Sequence, residues 1–216
     1  MTNFTQSTDI TETTNVGIPY ANDSDSWTID TGFIVCSTDN IGVFSDKNGS
    51  TLINNGNIFS GSLVGVYSSG SASVITNNSG HSIAGQQSGI FDDSDGATVT
   101  NHGTLTGYDF SGVAFGPTSN QVVLNNDGKI YGRDAGVAMV STLDGGTIHN
   151  SGLIRSDHFG VKVNIGAGLT TIIDNAASST IKGTDATIHT IGDGHISLNN
   201  HGKLVGGIDC VASNEE

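Results

Sequence analysis

The chain reads as an all-β solenoid, an array of stacked coils, on three observations. Seven asparagines, Asn54, Asn78, Asn101, Asn126, Asn150, Asn175 and Asn200, recur at steps of 24, 23, 25, 24, 25 and 25 residues. A short apolar or β-branched run precedes each one, and glycine follows closely in most repeats. Gly-apolar pairs recur with the same period. A fixed period in this range marks units that cannot bury their apolar faces alone and so stack on one another.

Each coil is expected to hold three strands. The first is the run before the asparagine: Thr51-Leu52-Ile53, Ser73-Val74-Ile75, Thr98-Val99-Thr100, Val122-Val123-Leu124, Thr147-Ile148, Thr171-Ile172-Ile173 and Ile196-Ser197-Leu198. A second follows the Asn corner with one inward residue four positions on, at Ile58, Leu105, Ile130, Ile154 and Leu204; Ile83 and Ile181 are displaced by one and two residues. The third opens at Gly42-Val43, Gly65-Val66, Gly89-Ile90, Gly112-Val113, Gly136-Val137, Gly160-Val161 and Gly207-Ile208, and is degraded at Thr187-Ile188. Alternating apolar positions broken by Gly and Asn favour strands over helices. Gly and Asn are expected to supply left-handed backbone at the corners. Stacked coils would bring the asparagine amides into a hydrogen-bonded ladder.

These residues predict a right-handed parallel β-helix of about seven to eight coils, with a ~24-residue period and an internal Asn ladder, over residues 23–211. Residues 1–22 are expected as a polar N-terminal cap or arm, and 212–216 as an acidic tail. The phrases Asn54-Asn55-Gly56-Asn57-Ile58-Phe59-Ser60-Gly61 and Asn126-Asp127-Gly128-Lys129-Ile130-Tyr131-Gly132 resemble repeats of bacterial type I-secreted, RTX-associated proteins and autotransporter-type adhesins. That resemblance implies a secreted or surface role. The calcium-binding nonapeptide of RTX proteins is absent from the sequence.

Net charge is −14, with seven Lys and Arg in 216 residues, which disfavours nucleic acid and anionic membrane surfaces as partners. Residues 1–22 lack the basic start and apolar core of a signal peptide, and no run approaches the ~20 apolar residues of a membrane helix. Secretion or surface display by a route without an N-terminal signal is expected, with a cytoplasmic location as the alternative. Cys36 and Cys210 lie near opposite ends of the array, too far apart to pair, and each is read as a small buried hydrophobe. An end-capping partner subunit or a further domain is expected to cover the last coil, because open coils expose strand edges.

No cofactor is expected. Calcium has one weak candidate, Asp92, Asp93 and Asp95, in a run resembling an EF-hand loop but with Phe91 and His102 where ligands belong. The seven histidines lack metal-ligand spacing and read as polar turn residues.

The candidate ligand-binding residues are Asp109, Arg133, Asp134, Arg155, Asp157 and Lys182, which stacking would gather on one face. Tyr131, Arg155 and Lys182 each follow an inward isoleucine and so should share one outward column. No catalytic residue is favoured. If the chain is an enzyme, Tyr131, Arg155, His158 and Lys182 would neutralise a uronate carboxylate and move its C5 proton, as a polysaccharide lyase or epimerase requires. The leading expectation is a structural or adhesive module binding glycans or surfaces through a flat polar face. The other alternative is a phage tail-fibre segment trimerising on outward aromatics such as Phe59, Tyr67 and Tyr131.

Overall fold

The computed structural model describes residues 2–140 and 145–211; the tail at 212–216 lies outside them. Among these residues every regular element is a β-strand, and parallel pairing stacks them into nine coils. One row runs from Asn3–Gln6 through Ser26–Ile29 and Thr51–Asn54 to His195–Asn200. A second begins with Ile10–Glu12, Ile34–Ser37 and Asn57–Ser60, and a third with Ile18–Pro19, Val43–Ser45 and Val66–Ser68. The second and third rows meet in one long strand, Thr180–Ile191. A bulge there accommodates Thr187, which replaces the glycine of the Gly-apolar pair.

The coils number nine rather than seven to eight because the first two lack the repeat's asparagine. Gln6 and Ile29 occupy the ladder register next to Asn54. Residues 3–19 thus supply a full set of strands, and Phe4 stacks on Trp27 at 4.6 Å, closing that end of the core with aromatic surface.

The ladder is continuous, with one correction. Nδ2 of each member donates to Oδ1 of the next: Asn54 to Asn77 at 2.8 Å, Asn77 to Asn101 at 2.9 Å, Asn101 to Asn126 and Asn126 to Asn150 at 2.8 Å, and Asn150 to Asn175 and Asn175 to Asn200 at 2.7 Å. Asn77, not Asn78, is the member; Asn78 donates instead to Asn55 at 2.6 Å, outside the ladder. The cause is a longer corner. Ile83 and Ile181 lie six residues after Asn77 and Asn175, against four elsewhere, yet pair in register with Ile58, Leu105 and Ile154. The extra residues turn through Gly80 and Ser178, both at positive φ.

Left-handed backbone falls mainly at the corner before each first strand, and at the asparagine corner only at Gly32, Gly80 and Ser178. No described Asn has positive φ; Ser24, Gly49, Ala72, Gly96, Gln121 and Gly168 do, each two residues before a coil's first strand. Glycines beside the ladder serve close approach instead. A Cβ on Gly103 would lie 2.3 Å from the His81 carbonyl oxygen of the preceding coil.

Inward columns such as Val35-Ile58-Ile83-Leu105-Ile130-Ile154-Ile181 are almost wholly removed from solvent. Each such side chain contributes about 1.5–3 kcal/mol. The cysteines differ from expectation: Cys36 is half-buried in the outward column beside Phe59, because Val35 takes the inward position, and Cys210 is exposed on the last described coil.

Candidate functional site

Parallel register places Thr106, Tyr131, Arg155 and Lys182 in one outward column, roughly 4.8 Å apart from coil to coil. The Arg155 guanidinium lies 5.1 Å from the centre of the Tyr131 ring, and the Tyr131 hydroxyl donates to Asp157 at 2.8 Å. That bond to Asp157 raises the Tyr131 pKa above the usual phenol value.

The other candidate charges also face partners. Asp109 accepts from Gln86 at 3.0 Å and lies 3.9 Å from Arg133. His158 pairs with Asp185 at 2.7 Å. Asp134 turns to Lys162 of the third row at 3.0 Å, away from the Arg155 column. Lys182 is exposed, and Val205 of the next coil continues its column. Tyr131, Arg155, Asp157, Asp109 and Arg133 therefore form a face of inter-coil contacts, while Asp134 belongs to the third row. Such exposed pairs are worth about 1 kcal/mol or less each.

The calcium candidates do not converge. Asp92 is buried, accepting from the Ser73 hydroxyl at 2.6 Å and the Ser94 amide at 2.9 Å, while Asp93 accepts from the Thr118 amide of the next coil. Burial pushes the Asp92 carboxyl up to about 6. Among the described residues no group of three or more His, Cys, Asp or Glu side chains is placed to hold a metal ion.

A feature not anticipated from the sequence is a groove of about 420 Å³ lined by His, Asn and Asp side chains on the first-row face. Asn125, His149, Asp174 and Asn199 form one column in register along it. His102, Asp127 and His201 line the corner beside it. His102 pairs with Asp127 at 2.7 Å and His149 with Asp174 at 2.9 Å, each bridging adjacent coils. With His158–Asp185 and His189–Asp209, four histidines hold a carboxylate of the next coil. The pattern is present in the sequence as a His followed one period later by an Asp, 25 residues on in the two groove pairs.

Ser151 also lines the groove, but its hydroxyl points to the Asn126 carbonyl rather than the His149 ring, so no serine–histidine dyad forms. The groove offers carboxylate acceptors, amides that both donate and accept, and imidazole nitrogens, the chemistry that recognises adjacent hydroxyl groups. Comparison with protein-family models, curated proteins and solved structures gives no match to this chain. Among the described residues no helix is long and apolar enough to cross a membrane.

Proposed function

We propose that this chain is a non-catalytic structural or adhesive β-helix module of a secreted or surface-displayed bacterial protein, binding a neutral glycan along its first-row face. The observation behind this reading is the groove in which Asn125, His149, Asp174 and Asn199 repeat at the coil spacing. A carboxylate presenting two acceptor oxygens suits a vicinal diol, and rows of similar groups add weak contacts along a chain of sugars. The net charge of −14 favours a neutral glycan over an acidic one. The RTX-associated and autotransporter resemblance belongs to the same proposal, as does a partner covering the last coil, where Ile208 is 55% exposed.

The test is a glycan array with wild type and Asp174→Ala. Binding of at least one neutral glycan, weakened about tenfold or more in the variant, supports the reading. No bound glycan, or identical profiles, contradicts it.

The lyase or epimerase reading draws on the Tyr131–Arg155–Lys182 column. Its weakness is that the Tyr131 hydroxyl is already committed to Asp157 and the neighbouring His158 is engaged with Asp185. Incubation with polyuronates, following the ultraviolet absorbance of an unsaturated product and C5 inversion by NMR, is expected to give no turnover.

A further inference from the structure

The outward column of the third row carries a stack of aromatic rings that stops abruptly. Phe44 and Tyr67 stack at 5.6 Å with planes 9° apart, and Tyr67 and Phe91 at 5.6 Å with planes 1° apart. The next two positions in register are Ala114 and Ala138, and the column then resumes with Lys162. The Lys162 ammonium lies 5.3 Å from the centre of the Phe159 ring and 3.0 Å from Asp134. Three coil steps separate Phe91 from Lys162, roughly 14 Å.

The result is a cavity of about 420 Å³, floored by the two alanines, walled by the Phe91 ring at one end and the Lys162–Asp134 pair at the other. Phe110, 54% exposed, stands on its flank. A concave, largely apolar site with a few polar groups at one edge has the general form of a small-molecule pocket.

We infer that this cavity is a sugar-binding subsite, in which a hexopyranose ring lies against Phe91 as the next layer of the stack. Ring faces are electron-rich, and the C–H face of a pyranose presents its positive edges to them. The hydroxyl rim of the sugar then meets Asp134 as acceptor and Lys162 as donor. Because these two charges neutralise each other, the pair suits an uncharged polyol better than a carboxylate or an ammonium ligand. The choice of a sugar rests on the glycan reading above, but the site lies on a different face from the Asp174 groove.

Saturation-transfer NMR with a panel of methyl pyranosides, and with p-cresol as a planar aromatic probe, tests the assignment on wild type, Ala114→Leu and Asp174→Ala. Ala114→Leu fills the cavity from its floor; Ala138→Val is the substitute if Ala114→Leu melts early. The expected result is transfer to the ring C–H protons of at least one pyranoside, weakened about tenfold by filling the cavity, equivalent to ~1.4 kcal/mol, and unchanged by Asp174→Ala. Absence of transfer to every pyranoside, with or without a p-cresol signal, overturns the assignment. Equal transfer in the cavity-filled variant overturns it as well. Loss of transfer in Asp174→Ala alone moves the sugar to the groove, overturning the subsite while leaving the glycan reading in place.

Discussion

The side-chain amide of Asn77 donates to the side-chain carbonyl of Asn101 across one coil step, at 2.9 Å, with both residues wholly buried. Its chain neighbour Asn78 makes a shorter bond, 2.6 Å to Asn55, yet that pair is only partly buried. In water-accessible positions the loss of such a bond is largely replaced by solvent, whereas a buried amide has no alternative partner.

Asn77→Ala is therefore expected to destabilise the fold far more than Asn78→Ala. The first strands the Asn54 donor and the Asn101 acceptor, at about 1–3 kcal/mol for each unsatisfied group. The second costs about 1 kcal/mol or less. Urea denaturation followed by circular dichroism checks the order; equal midpoints, or a larger loss at Asn78, would be the opposite outcome.

Asp92 gives the fold a pH dependence. Desolvation raises its carboxyl to about 6 in the folded chain, against about 3.9 when unfolded. The folded state thus holds the proton more tightly. The stability tied to the neutral form is fully present below about 3.9 and is lost as pH rises through about 6. Ionisation above that range costs on the order of 3 kcal/mol. Asp92→Asn keeps an acceptor for the Ser94 amide and a partner for Ser73, and is expected to raise the melting temperature at about pH 8 while changing it little near pH 4. Melting curves across pH for both proteins decide it; a variant with the wild-type pH profile contradicts the burial account.

The Gly-apolar pairs report close stacking. A Cβ on Gly136 would lie 2.7 Å from the Gly160 carbonyl oxygen of the next coil, whereas one on Gly207 would meet nothing within 4 Å. Gly136→Ala is expected to cost about 1–3 kcal/mol through overpacking, and Gly207→Ala less than about 0.5 kcal/mol. Thermal melts of the two variants compare them directly.

The repeat made the architecture legible because hydrophobic columns and corner residues recur at the coil length. It also made the Tyr131, Arg155 and Lys182 column legible, since each follows an inward isoleucine. Fixed spacing misled where a corner changed length: two added residues after Asn77 made Asn78 look like the ladder member. The coils at Gln6 and Ile29 lack the asparagine, so the second is marked only by its Gly42-Val43 pair and its apolar run, and the first reads as a cap or arm. The His102–Asp127 and His149–Asp174 pairs form only after stacking, between residues distant in sequence, so scanning for local His spacing passes over them. The interrupted ring stack at Ala114 is likewise invisible until the outward column is assembled from separate coils.

Hydrogen exchange of side-chain amides, assigned by NMR, tests the stacked spine most directly. The Nδ2 groups of Asn77, Asn101, Asn126 and Asn150 are bonded along the core and are expected to outlast that of Asn78 by orders of magnitude after transfer to deuterated solvent. Loss of all these signals as fast as Asn78, or protection of Asn78 in place of Asn77, would contradict the ladder and the coil register built on it.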